Sequence, residues 1–101
     1  MKADVKVTVL KRTLNKDVAG KYMDPEDSWG PCGQFAEGQE FIIEGAHLTV
    51  PPGFCSWAWV DMQKYVMALA RGANFLGMKQ GVFVTACSDG FRPVIFKLER
   101  L

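Results

Sequence analysis

Histidine is nearly absent from this sequence, because His47 is the only one. A nucleophilic cysteine or serine needs a neighbouring base, and a lone histidine without a supporting motif does not indicate one. The three cysteines also contain no C-x-x-C pair, whereas structural zinc sites usually show such close ligand pairs. We therefore expect no catalytic residue, no metal site and no cofactor.

The sequence also lacks an excess of charge of one sign and any long apolar run. Its 12 basic and 11 acidic residues leave a net charge of +1, while nucleic-acid-binding domains usually carry a basic face. No apolar run could span a bilayer, and residues 1–3 (MKA) do not begin like a signal peptide. We expect a cytoplasmic protein without a membrane or nucleic-acid partner.

The sequence does contain enough apolar residues for one core. Hydrophobic residues make up 49% of the 101 residues and charged residues 23%, which are ordinary proportions for a globular protein. There are no internal repeats and no low-complexity linker. We expect a single domain over residues 1–101.

The strongest helical pattern covers residues 57–71. Its apolar side chains recur at three- and four-residue spacing and form one stripe, which consists of Met62, Tyr65, Val66, Leu69 and Ala73. Ser56 is the expected N-cap, and Arg71 followed by Gly72 is a typical helix end. Such a stripe needs a sheet to cover it.

Strands are predicted at residues 4–10 and 93–99 from the alternation of their side chains, at 81–87 from its β-branched and aromatic residues, and at 38–44, between two glycine-bounded turns. A weak helix at 15–23 and an irregular loop at 25–38 separate the first two strands in chain order. Trp29, Cys32 and Phe35 interrupt the polarity of that loop, so we expect them to anchor it in the core. The predicted fold is an α+β domain, with a mainly antiparallel sheet of about four strands and the long helix on one face.

Geometry favours one cysteine pairing. The helix at 57–71 would be roughly 20 Å long at about 1.5 Å per residue, and the strand at 81–87 would be similar at about 3.3 Å per residue. If the strand runs back along the helix, Cys87 returns to the helix start beside Cys55. We predict a Cys55–Cys87 contact and, in an oxidised protein, an intrachain disulfide. The alternative is that all three cysteines are small buried apolar groups.

Cys32 is left over by this pairing. An odd cysteine in a disulfide-bearing chain indicates intermolecular pairing, and a two-fold axis could join Cys32 to its own copy in a homodimer. Disulfides are rare in the cytosol outside hyperthermophiles. Both disulfides are therefore predicted only if the protein comes from a thermophile.

Three segments carry a resemblance: residues 30–41 (GPCGQFAEGQEF), 52–59 (PGFCSWAW) and 87–100 (CSDGFRPVIFKLER). In this order they resemble a family of small stand-alone proteins of archaea and largely anaerobic bacteria. That family has no established activity, so the resemblance implies a cytoplasmic prokaryotic protein but no functional residues. Its members often have two adjacent cysteines where this chain has Ala86 and Cys87, a departure that argues against a metal or dithiol site there.

Two functional hypotheses follow. The first is a non-enzymatic, self-associating or interaction module that disulfides stabilise. The alternative is a thiol-dependent or small-ligand-binding protein, whose site at the start of the long helix gathers Cys55, Trp57, Trp59, Asp61, Cys87, Asp89 and Arg92. Cys55 is the best reactive candidate, because a helix N-terminus favours the thiolate. The competing structural roles are core packing for the tryptophans, turn formation for Asp89 and an ion pair for Arg92.

RNA binding is a weaker third hypothesis. It would use the basic residues Lys64, Arg71, Lys79 and Arg92, and strong salt dependence would be its signature.

Overall fold

A computed structural model describes residues 2–24 and 30–101. Its elements in chain order are β1 (Val5–Arg12), α1 (Lys16–Tyr22), β2 (Glu40–Ile43), α2 (Ser56–Ala70), β3 (Val82–Ala86) and β4 (Val94–Arg100). The strands form one antiparallel sheet in the order β2-β1-β4-β3. The predicted α+β fold with a four-stranded antiparallel sheet is confirmed. The core role expected for Trp29 lies outside the described residues.

The core lies on one face of the two central strands. Alternate residues of β1 and β4 point to this face, and the completely or almost completely buried ones are Val5, Val7, Val9, Val94, Phe96 and Leu98. The register places Val7 opposite Leu98 and Val9 opposite Phe96. Helix α2 covers this face with Met62, Val66 and Leu69, so the predicted apolar stripe does meet a sheet.

Helix α2 begins at a cysteine cap and not at the predicted serine cap. Cys55 is the N-cap, with extended backbone angles (φ −66°, ψ 125°), and Ser56 is the first helical residue. A tight turn precedes it, in which Gly53 has a positive φ of 78° and the Phe54 amide donates to the Pro51 carbonyl at 3.2 Å. A thiol therefore occupies the position that the sequence analysis assigned to a hydroxyl.

Hydrogen bonds fix both ends of α2 to the sheet. At its end, Arg100 of β4 donates from Nη1 to the Leu69 and Ala73 carbonyls at 3.1 and 2.7 Å. Near its start, the Asp61 carboxylate accepts the Ser88 amide at 2.7 Å. Because Ser88 lies at the tip of the β3–β4 hairpin, β3 runs antiparallel to α2, and its end returns to the helix start.

A cluster of aromatic rings fills the core at that same end. Phe35 packs edge-on against Phe41, Phe54 and Phe96, with ring centroids 6.0, 5.1 and 5.1 Å away. Phe35 comes from the loop before β2 and is only 4% exposed. It anchors the loop in the core, as its apolar character predicted, and brings the neighbouring Cys32 against the core cluster.

Over residues 2–24 and 30–101, the structure contains no helix that is both long and apolar enough to cross a membrane.

Candidate functional site

A cavity of about 460 Å³ lies between the start of α2, the β3–β4 hairpin tip and the loop that precedes β2. Each of these three segments contributes one cysteine to its wall. Cys32 comes from the loop, Cys55 from the start of α2 and Cys87 from the hairpin. We call it the three-cysteine cavity. Phe35, Phe54 and Val94 give it an apolar floor.

Cys55 lies at the N-terminal end of α2. Its carbonyl accepts the Trp59 amide at 3.0 Å, as an N-cap carbonyl does. Its side chain makes no capping hydrogen bond to the described residues, so it does not satisfy the amides of the first turn. Ser56, Trp57 and Ala58, which supply those amides, also line the cavity. The cavity therefore meets the end of the helix at which negative charge is stabilised.

Cys87 is held by the strand that follows it. Its amide donates to the Val94 carbonyl at 3.1 Å, and its Sγ accepts the Val94 amide at 3.4 Å. The sulfur of Cys87 is thus an acceptor in the hairpin's hydrogen-bond pattern. Since Val94 is fully buried, this contact places the sulfur on the inner wall of the cavity.

Cys32 is positioned through its backbone. Arg12, the last residue of β1, donates from Nη1 to the Cys32 carbonyl at 3.0 Å. The side chain of Cys32 is half-buried and packs against the core cluster. Sequence reasoning assigned Cys32 to a contact between two copies and did not place it at this site.

Asp89 and Arg92 form the turn that closes the hairpin. The Asp89 Oδ1 accepts the amides of Phe91 and Arg92 at 2.9 and 3.1 Å, and Oδ2 lies 3.8 Å from the Arg92 Nε. Asp89 thus forms a turn and Arg92 an ion pair, the structural roles that the sequence offered for them. Both residues also line the three-cysteine cavity. The Arg92 Nε is buried and donates no hydrogen bond to the described residues.

The remaining predicted ligand-site residues are divided between the cavity rim, its surroundings and the core. Trp57 is 77% exposed and lines the rim. Asp61 lines a separate depression of about 240 Å³ with Trp57, Val60 and Ser88. Trp59 packs in the core, with its ring centroid 6.1 Å from that of Phe54. The structure therefore brings five of the predicted residues to the cavity, namely Cys55, Trp57, Cys87, Asp89 and Arg92, and leaves Trp59 and Asp61 outside it.

All three cysteines carry free thiols in this structure. Neither the Cys55–Cys87 disulfide nor the Cys32 disulfide between copies is formed in it, and both stay predictions. Among residues 2–24 and 30–101, no three His, Cys, Asp or Glu side chains form a group that could hold a metal ion.

Sequence reasoning missed several wall residues, notably Gln34, Phe35 and Phe54. Phe54 had one usable indication, because it directly precedes the candidate thiol Cys55. Phe35 had its apolar character, which predicted an anchor in the core but not a place at this cavity. Gln34 had no indication, since nothing in a polar loop residue shows that it turns inward.

Comparison of the chain with protein-family models, with curated proteins and with solved structures finds no match. The resemblance of its three segments to the prokaryotic family thus stays a prediction.

Proposed function

We propose that this protein binds a small molecule at the three-cysteine cavity and acts on it, or is regulated by it, through its thiols. One observation carries the proposal: thiols from three distant segments of the chain line a single cavity of about 460 Å³. Cysteines that serve only as packing would sit in filled core. Here the three side chains border open space.

The cavity has the size and the lining of a small-molecule site. Ligand pockets usually measure about 300–1,000 Å³ and are mostly apolar, with a few polar groups that orient the ligand. Phe35, Phe54 and Val94 supply apolar wall, whereas Ser56 and Arg92 supply polar groups. These features suit a compact molecule with an apolar body and one polar or charged end.

We also propose that the chain belongs to the prokaryotic family that it resembles. The support is positional: residues 30–41, 52–59 and 87–100 carry the resemblance, and each contributes one cysteine to the cavity. The other hypothesis, a homodimer stabilised by disulfides, stays a prediction. It would require the partly exposed Cys32 to meet Cys32 of a second copy.

Alkylation of the thiols tests the proposed site. The reduced, folded protein is treated first with one equivalent of pyrenyl maleimide, and the remaining thiols are then titrated with iodoacetamide and mapped by peptide mass. Because a bulky aromatic adduct on one cysteine would occupy the shared cavity, we expect the other two thiols to react at least about tenfold more slowly than before. In urea all three should react freely.

A matched control places a thiol on the opposite face of the sheet. Val84 is 38% exposed there, and the thiol of Val84→Cys should react at the same rate whether or not the cavity carries an adduct. Equal and independent reaction of Cys32, Cys55 and Cys87 with the maleimide would show that they share no site, and would overturn the proposal.

A further inference from the structure

We propose that the three-cysteine cavity exchanges thiols with a low-molecular-weight disulfide, with Cys55 as the attacking thiolate and Cys87 as the resolving thiol. This inference rests on the proposed function and names the chemical class of the ligand. It also assigns different roles to the three cysteines, of which Cys32 takes no part in the exchange.

Cys55 has the surroundings that an attacking thiolate needs. The thiolate is the nucleophile in disulfide exchange, and its fraction depends on nearby positive charge. Cys55 is the N-cap of α2 and leaves the first-turn amides without a side-chain cap from the described residues. The guanidinium of Arg92, paired with Asp89 at 3.8 Å, lines the same cavity. The first-turn amides and this guanidinium therefore both lie where the departing thiolate would be released.

Cys87 is the thiol whose position is fixed relative to α2. The Asp61 carboxylate, which follows Cys55 on the helix, accepts the amide of Ser88 at 2.7 Å, and Ser88 directly follows Cys87. The Val94 amide holds the Cys87 sulfur on the cavity wall at 3.4 Å. Cys32 has no such connection, because its carbonyl is bonded to Arg12 of β1 and no described hydrogen bond joins the loop before β2 to α2.

The exchange needs only the two thiols of Cys55 and Cys87 and the small disulfide, and no further oxidant or reductant. The Cys55 thiolate attacks one sulfur of the disulfide R–S–S–R, which forms a Cys55–S–R mixed disulfide and releases one thiolate RS⁻. Cys87 gives its proton to solvent, and its thiolate then attacks the Cys55 sulfur and releases the second RS⁻. The protein loses two electrons and two protons, and the small disulfide is reduced to two thiols. An excess of RSH drives the same steps backwards.

Disulfide exchange requires fewer groups from the cavity than hydrolysis does. Cysteine hydrolases need a base to activate the thiol, whereas disulfide exchange needs only a thiolate and a leaving thiolate. His47 is exposed in the turn after β2 and is not among the described residues that line the cavity. Cys55 and Cys87 line the same cavity and supply the two thiols that exchange requires.

The experiment uses hydroxyethyl disulfide and the fully reduced protein, followed by intact mass, released thiol and peptide mapping. We expect the wild type to become lighter by two hydrogen atoms, to release two thiols and to contain a Cys55–Cys87 link. Cys87→Ser should stop at the mixed disulfide and carry one hydroxyethylthio group on residue 55. Cys55→Ser should react about tenfold more slowly.

Val84→Cys is the matched control, because it adds a thiol on the opposite face of the sheet, outside the cavity. It should form the Cys55–Cys87 link like the wild type, without the added thiol taking part. Far-UV circular dichroism confirms folding of each variant, and Cys87→Ala replaces Cys87→Ser if the serine variant does not fold. A disulfide that includes Cys32, or wild-type reactivity of Cys55→Ser, would overturn the inference. If exchange fails while an adduct in the cavity still protects the other thiols in the alkylation experiment, the exchange inference alone is overturned. If protection is also missing, the proposed function fails with it.

Discussion

Gly45 marks the point where two backbone segments approach most closely. It is buried in the turn after β2, and a Cβ at this position would collide with the backbone carbonyl of Ala3. The Gly45 amide also donates to the Asp4 Oδ1 at 3.0 Å, which fixes the segment in place. Because the obstacle is backbone and not a flexible side chain, the residue preceding β1 would have to move to admit even a methyl group.

We expect Gly45→Ala to lower the free energy of unfolding by roughly 1–3 kcal/mol, the usual range for overpacking. Urea denaturation of the reduced protein measures the change. Gly20→Ala is the control, because no atom lies within 4 Å of a Cβ built there and alanine is favoured over glycine in a helix by about 1 kcal/mol. Equal stability of the Gly45→Ala variant and the wild type would contradict the close approach.

The elements differ in how far the sequence predicted them. Period-two alternation in β1 and β4 and the spacing of Met62, Val66 and Leu69 in α2 predicted both layers, because each pattern alone determines which face is buried. The cavity was predictable at two of its walls, since antiparallel packing returns Cys87 to Cys55. For the third wall, the apolar residues Cys32 and Phe35 predicted that the loop anchors in the core. Its position at the cavity was not predictable, because it depends on the Arg12–Cys32 hydrogen bond and on ring contacts of Phe35, which a loop without periodicity does not indicate.

The hydrogen bond between the Ser88 amide and the Asp61 carboxylate joins the hairpin to α2. Its loss should therefore make the hairpin tip more mobile. We expect Asp61→Ala to lower the free energy of unfolding by about 1 kcal/mol and to speed hydrogen exchange at the Ser88 amide, which loses its acceptor. Amide exchange followed by mass spectrometry or NMR measures this. Lys64→Ala, an exposed change on the same helix, should leave that amide unchanged, and equal rates in the two variants would contradict the assignment.

The whole molecule has one covered and one open sheet face. Helix α2 covers the apolar face, and the other carries ion pairs of Lys6 with Glu40 and Glu99 at 3.7 and 3.8 Å. Antiparallel sheets commonly leave one face to water, and such exposed pairs contribute little to stability. The core on one side of the sheet is therefore the main source of stability in the reduced protein.

A Cys55–Cys87 disulfide would add a constraint to this single-sided core. It would close the loop that contains α2 and β3, and loop entropy gives a stabilisation of roughly 3–4 kcal/mol. We expect the urea midpoint of the oxidised protein to exceed that of the reduced protein accordingly, and Cys87→Ser to show no such difference. Identical midpoints for oxidised and reduced wild type would mean that the link strains the fold as much as it restrains the unfolded chain.

The three walls of the cavity come from a loop, a helix start and a hairpin that are far apart along the chain. Their thiols become neighbours only after all three segments have docked, and departure of any one of them separates its sulfur from the other two. The reactivity of each cysteine therefore reports on local opening of its own segment. Comparing the reaction rates of the three thiols would show which segment has detached, and no new side chain has to be placed in the fold.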